Sequence, residues 1–350
     1  MVTVRTVIAV AASKGWPLFQ MDVNNAFLQG DLCEKVYMQL PQGFHSQGES
    51  KVCRLLKSLY GLKQASRQWN INLTHTLLQA GFTQSPYDHS LFTKRDKVDI
   101  VIVLVYVDDL LISGSNSSLI QEAKETLHRN FKMKDLGELR YFLGIEVMRS
   151  NKGILFNQRK YAFQLISEVG LSACKPVSTP MKQNHKLTTV EYDKHAGNVN
   201  DAELQEAGSY QKLIGKLLYL TTTRPDISFV VQVLSQFMQH PKEPHMEAAL
   251  RVVKYVKGRP GLGILLKGEA TDELTAYCDS DRAACPNTRR SSEEAEYRSM
   301  AAAVAELIWM KGLLEELGNK VKEPIHLHCD SKPALQIAAN PIFHERTKST

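Results

Sequence analysis

Asp108 and Asp109 are adjacent carboxylates that follow eight apolar residues, Ile100–Val107, and precede a second apolar run, Leu110–Ile112. A β-branched run of that length, closed by Asp-Asp and by Ser113–Gly114, predicts a strand, a tight turn and a return strand. Asp is an ordinary turn residue, so a polar hairpin tip is the plainest account of the pattern. A turn that needs only polarity can use Asn-Gly, however, and two carboxylates side by side repel unless a cation shares them. A third acid lies upstream. Trp16–Phe27 (WPLFQMDVNNAF) predicts a short extended segment with Leu18, Phe19, Met21 and Val23, ending near Asp22. Three carboxylates from two strands could hold two Mg²⁺ ions, the arrangement that clamps the attacking and leaving oxygens of phosphoryl transfer.

The elements that must position these acids come from a chain of 350 residues, long enough for two or more domains with buried cores. Hydrophobic residues make up 43% and charged residues 23%, ordinary values for a globular protein, and the formal net charge of +6 permits a polyanionic partner without requiring one. Cys33, Cys53, Cys174, Cys278, Cys285 and Cys329 form no CxxC pair. No segment reads as a signal peptide and no apolar run approaches a membrane span, so the expectation is an intracellular protein, cytoplasmic or nuclear, with reduced thiols and no membrane partner. His326, His328 and Cys329 stand close in sequence, but a zinc site there lacks a second ligand pair at suitable spacing.

Val2–Ala12 has apolar residues at helical spacing, and Ser13-Lys14-Gly15 predicts its C-cap. A short strand is expected over Val52–Leu56. Leu59–Ala65 is expected to enter a helix whose buried stripe is Leu62, Ala65, Trp69, Leu73 and Leu77, with Lys63 and Arg67 on a common face and Gly81 as its stop. Gly61 would permit close backbone approach to a ligand. Ser118 and Gln121 predict a capping box for a helix buried through Ile120, Ala123, Leu127 and Phe131. Cys174–Gly208 is poor in large apolar residues and reads as an exposed connector. Three helices follow over Tyr210–Leu220, Asp226–Gln239 and Pro244–Lys257. Arg251, Lys254, Lys257 and Arg259 there form either a phosphate track or a solvated face. Leu274–Cys278 and Ile325–Cys329 read as strands, and Ser291–Leu317 and Ser331–Ala339 as helices.

Tyr106-Val107-Asp108-Asp109 resembles the YxDD box of reverse transcriptases, and Asp22-Val23-Asn24-Asn25-Ala26-Phe27 resembles their first acidic motif. With NNAFLQGDL, SLYGLKQASRQW, YFLGIEV, TRPDI, AEYRSMA and FHERTK, the series is similar to copia-type LTR retrotransposon Pol polyproteins, a class of transposable element, in order over nearly the whole chain. The resemblance implies an RNA-directed DNA polymerase using two Mg²⁺ or Mn²⁺ ions held by Asp22, Asp108 and Asp109. It implies a nucleotide site of Phe27, Tyr60, Gly61, Lys63 and Arg67, with the Phe27 ring excluding a 2′-hydroxyl. Lys132 and Lys134 are both candidates for the lysine that acts near the pyrophosphate, and Tyr141–Gly144 resembles the primer grip.

The implied fold class is α+β. A reverse transcriptase palm with partial fingers, of the split βαβ kind, spans residues 1–170, a linker 171–208, a helical thumb/connection 209–268, and an incomplete α/β ribonuclease H-like domain 269–350. Asp279, Glu296 and Asp330 match three of the four ribonuclease H acids. The family's two strands between the first Asp and the Glu helix are missing, and its fourth acid lies past Thr350, so ribonuclease H activity is expected to be absent. Implied partners are an RNA or DNA template with its primer and deoxynucleoside triphosphates, with pairing to a second chain left open. The alternative reading is a catalytically dead nucleic-acid-binding remnant of a decayed retroelement.

Overall fold

The computed structural model describes residues 1–32, 34–41, 43–44, 51–183, 187–196, 201–269, 272–278 and 292–339. It is a mixed α/β protein that divides into two compact units, Val2–Leu143 and Gly144–Thr350. The division falls inside the motif YFLG, between Leu143 and Gly144.

In the first unit, α1 (Val2–Ser13) ends at Gly15, whose φ of 66° is the left-handed conformation expected of a helix stop. Then come β1 (Leu18–Val23), a 3₁₀ turn (Ala26–Gln29), the small hairpin β2 (Tyr37–Gln39) and β3 (Val52–Arg54), and α2 (Ala65–Gln79). β4 (Thr83–Gln84), β5 (Leu91–Asp96), β6 (Asp99–Tyr106) and β7 (Asp109–Gly114) form a meander. α3 (Ser117–Asn130), β8 (Met133–Glu138) and β9 (Tyr141–Phe142) complete the unit. The six-stranded sheet has the order β4-β5-β6-β7-β1-β8, antiparallel throughout, so β1 is inserted between β7 and β8 and is hydrogen-bonded along both edges.

The pleat sorts the side chains of this sheet. Met21, Val23, Val101, Val103, Val105, Leu110 and Ile112 lie on the face covered by α2 (Trp69, Leu73, Leu77) and α3 (Ile120, Ala123, Leu127). Alternation places Asp22 and Asp109 on the opposite face. Lys124 of α3 is buried on the helix side, over the Phe19 ring at 3.7 Å and bonded to Asp135 at 2.9 Å.

Two local expectations need correction. The helix after Tyr60 begins only at Ala65, because Gly61 at φ 92° turns the chain first. Leu62 and Lys63 therefore precede α2, and Lys63 shares no helical face with Arg67. At α3 the N-cap is Asn116, whose side chain accepts from the Ser118 and Leu119 N–H groups, and Gln121 bonds Glu125 and not the helix start. An Asn two residues upstream competes with Ser for the same orphan donors and has the longer reach.

The second unit contains β10 (Ile145–Ser150), β11 (Gly153–Asn157), α4 (Arg159–Glu168), α5 (Val190–Ala196), α6 (Ala207–Leu220), α7 (Ser228–Ser235), α8 (Glu243–Gly258), β12 (Gly263–Lys267), β13 (Thr275–Cys278), α9 (Ser292–Glu316), β14 (His326–Cys329) and α10 (Lys332–Ala339). β10, β11 and β12 pair antiparallel, β13 and β14 in parallel. Buried residues of α4, α6, α7 and α8 make one core around Leu165, Tyr210, Ile214, Val231 and Val253. TRPDI is structural here. Arg224 is almost fully buried, grips Asp226 through Nε and Nη2 at 2.9 and 2.7 Å, and donates from Nη1 to the Arg259 carbonyl at 3.0 Å.

The segment expected to be an exposed connector is tied into this core. Leu187 is buried within it, and α5 supplies Asp193 to the buried Lys242 ammonium, which also bonds Asp201 at 3.0 Å and Thr188 at 3.2 Å. Composition misled because a buried lysine with two carboxylate partners anchors the segment beside the few apolar residues it has. The basic residues of α8 divide likewise. Lys257 caps the carbonyls of Leu171, Ser172 and Cys174, and Arg251 donates to the Thr179 hydroxyl. Burial opposes the charge on both Lys242 and Asp193, yet their mutual attraction prevails, raising the Lys242 pKa and lowering that of Asp193. The pair therefore stabilises the fold across neutral pH, a contribution lost as pH falls through the Asp193 value or rises through that of Lys242. Lys242→Met strands Asp193 without a counter-charge and is expected to cost about 3 kcal/mol in urea unfolding at pH 7.

Candidate active site

β1 carries Asp22 because Met21 and Val23 on either side are buried, at 0% and 2% exposure, which turns Asp22 to the other face. Directly across the ladder is Asp109, the Cα partner of Asp22 and the first residue of β7. Asp108 sits in the turn, and its carbonyl accepts the Val23 N–H at 2.8 Å, tying the turn to the end of β1. The two strands thus bring all three expected carboxylates to one corner of the sheet.

The turn is a two-residue connection, Val107–Asp108, between the cross-strand pair Tyr106 and Asp109. Such turns favour Asn-Gly because they require positive φ. Here Val107 adopts φ 59°, a left-handed conformation that a β-branched residue resists, and its carbonyl is held by the Trp69 indole N–H at 2.7 Å. Gln20, two residues before Asp22 on the same strand face, donates from Nε2 to Asp109 Oδ1 at 2.9 Å. Strand alternation could have revealed Gln20 from the sequence; no local signal pointed to Trp69.

Partial burial is the main cause of a raised Asp109 pKa; the Gln20 amide opposes it, and the charges of Asp108 and Asp22 add to it. Burial is thus the larger effect on Asp109 and the neighbouring carboxylates the smaller one. Among the described residues, no group of three His, Cys, Asp or Glu side chains is gathered closely enough to hold a metal. As a donor set, three carboxylates with one oxygen already oriented by an amide suit a hard divalent cation.

Around this corner, Phe27 is half-buried in the 3₁₀ turn, and its ring lies 4.8 Å from that of the exposed Tyr60. Gly61 stands in open space, and Lys63 and Arg67 are both exposed. The two candidate lysines separate. Lys134 is the cross-strand partner of Asp22 on β8 and shares its face. Lys132 precedes β8 and lines a cavity of about 610 Å³ with Asn25, Gln29, Asn72 and Arg129, beside α2 and the end of α3.

Asp279 lies outside the described residues, only the backbone of Glu296 is described, within α9, and Asp330 is exposed after β14. The zinc reading of His326, His328 and Cys329 fails on strand alternation, because Cys329 packs toward Met300 of α9 and the two imidazoles take the other face. Among the described residues no helix is long and apolar enough to cross a membrane.

A sheet that sets an acidic turn against a third acid on the neighbouring strand is the class of site that nucleotidyl-transferring enzymes use. Residues 1–183 match the family described as "Reverse transcriptase (RNA-dependent DNA polymerase)", and the chain belongs to that family. It is 40% identical, over 99% of its own length, to the Retrovirus-related Pol polyproteins from transposons RE1 and RE2 of Arabidopsis thaliana. It is 34% identical, over the same share, to that from transposon TNT 1-94 of Nicotiana tabacum. The chain spans about a quarter of the length of these relatives: 25% of RE1 and of RE2, and 28% of TNT 1-94. The alignments run over 373 and 385 positions against 350 residues, so the relatives carry internal residues that this chain lacks.

The raised Asp109 pKa has a sign that can be tested. The folded state holds its proton more tightly than the unfolded chain, so stability falls as pH rises from the ordinary value of 3.8 through the raised one, and the penalty persists at neutral pH. Asp109→Asn should therefore raise the melting midpoint in EDTA at pH 7. Mg²⁺ should raise that of the unaltered chain and do little for the variant, as read by differential scanning calorimetry.

Proposed function

We propose that this chain carries the template-directed polymerase site of a copia-type retrotransposon Pol polyprotein, adding deoxynucleotides to a primer 3′-hydroxyl. The observation that carries this reading is the Asp22–Asp109 cross-strand pair with Asp108 in the adjoining turn. Asp22, Asp108 and Asp109 would hold Mg²⁺ or Mn²⁺. Two such ions, when bound, offset triphosphate charge and favour the alkoxide of the primer hydroxyl.

The chain's own residues supply the positioning. Gln20 orients Asp109, and the Trp69 indole holds the strained turn that presents Asp108. Phe27, packed against Tyr60, is the ring on which a deoxyribose would rest, and a 2′-hydroxyl would collide with it. Gly61, Lys63 and Arg67 form the approach to the nucleotide, with Lys63 and Arg67 acting from a turn and a helix separately. Lys134, on the carboxylate face, is the better placed of the two lysines to neutralise or protonate the leaving pyrophosphate.

In this reading residues 1–170 are a palm with partial fingers, 171–208 a connecting segment, 209–268 a thumb or connection, and 269–350 an incomplete ribonuclease H-like piece. Its partners are a primed template and deoxynucleoside triphosphates inside the cell.

Primer extension on an RNA template with purified chain is the direct test. Extension should require Mg²⁺ or Mn²⁺ and vanish in Asp108→Asn, and synthesis that survives that substitution would refute the site. No extension by the unaltered chain, with salt-sensitive template binding retained, would identify a binding remnant instead. Lys134→Ala should slow extension by about a hundredfold and Lys132→Ala by little, as expected when only one lysine meets the leaving group. Phe27→Val should increase ribonucleotide incorporation by about tenfold or more.

A further inference from the structure

We propose that Cys278 and Cys329 form a vicinal dithiol that peroxide converts to a disulfide tying β13 to β14. The inference is independent of the polymerase reading. The two cysteines are direct partners in the parallel ladder. Neighbouring strands run about 4.8 Å apart, inside the range of about 4.4 to 6.8 Å between Cα atoms that a disulfide bridges. In-register residues of a parallel pair point to the same side, and here both thiols face α9, packed with Met300 and Ala303. Tyr277 and His328 take the opposite face, their rings stacked at 4.9 Å, which confirms the alternation.

Both thiols are free. Cys278 is 8% exposed and Cys329 half-buried, yet together they line a cavity of about 450 Å³ with Tyr277, His328, Asp330 and Leu335, so a small oxidant can reach them. Of the other described cysteines, Cys53 faces Met38 across its ladder and has no thiol opposite it.

The chemistry balances with hydrogen peroxide as the oxidant. One thiol attacks the peroxide, its sulfur becomes a sulfenic acid, and the first water departs. The second thiol then attacks that sulfur, the S–S bond forms, and the hydroxyl leaves with the remaining proton as the second water. Two thiols thus lose two electrons and two protons, which peroxide takes up. The product would clamp the ends of two strands that lead directly into Asp279 and Asp330, fixing the spacing from which those acids depart.

The test uses the full chain, reduced, exposed to hydrogen peroxide, blocked with an alkylating reagent and digested without reductant. The expected product is one cross-linked peptide pair joining Cys278 to Cys329, lighter by two hydrogens and separated by dithiothreitol. In Cys278→Ser, Cys329 should instead stop at sulfenic or sulfinic acid. Because that substitution falls in a small core, a second measurement uses the unaltered chain. One equivalent of phenylarsine oxide, which needs two sulfurs within reach, should shield both thiols from alkylation. Independent alkylation of the two after either treatment, or cross-links that favour other cysteines, would overturn the proposal.

Discussion

Repulsion among Asp22, Asp108 and Asp109 is the constraint around which the first unit is built. Two of the three face each other directly across a ladder, an arrangement that destabilises a sheet pair. It persists because the same strands are bonded from Leu18–Ser113 to Asp22–Asp109, and because β1 is held on its far edge by β8. The apolar face beneath, closed by α2 and α3, leaves the strands no other register. A slip of one residue would take Met21 and Val23 off the face that α2 and α3 cover and put Asp22 onto it. Apolar packing on one face thus fixes charges in unfavourable proximity on the other, and a divalent cation would turn that penalty into binding energy.

The turn shows the same trade. A β-branched Val107 at φ 59° costs on the order of 1–3 kcal/mol relative to a glycine. The Trp69 indole, itself buried and packed edge-on against Phe131 at 5.1 Å, fixes the carbonyl that this backbone presents. Strain at the tip is therefore supported from the core, through one hydrogen bond, and the acid that follows is presented by a turn with little freedom.

The second unit uses charge differently. Arg224 and Lys242 are among its largest fully buried side chains, and each is satisfied by carboxylates of its own unit. Desolvation makes such pairs poor sources of net stability, but removing one partner is severe, so they act as locks on register. Arg224 joins the turn before α7 to the end of α8, and Lys242 pins a polar segment that composition alone would leave loose.

The sequence by itself determined the elements whose signals are local. The apolar run ending in Asp-Asp became β6, its turn and β7; the stripe Ala65, Trp69, Leu73 and Leu77 became the buried face of α2; and Asp22 falls on a strand as its flanking residues required. These depend on periods of 2 and 3.6 residues, which any window of the chain displays. What only the tertiary structure decided is what depends on distant partners. Lys134 and not Lys132 shares a face with Asp22 because β8 pairs with β1 in one particular register. The 171–208 segment is anchored because Asp193 meets a lysine 49 residues away. Lys257 caps carbonyls of a segment some 85 residues upstream, and the zinc-like trio is split between two faces of a strand. Pairing across the fold has no counterpart in local periodicity, and so the strands that carry Asp22 and Asp109 were legible in the chain while the Trp69 contact and the Lys134 register were not.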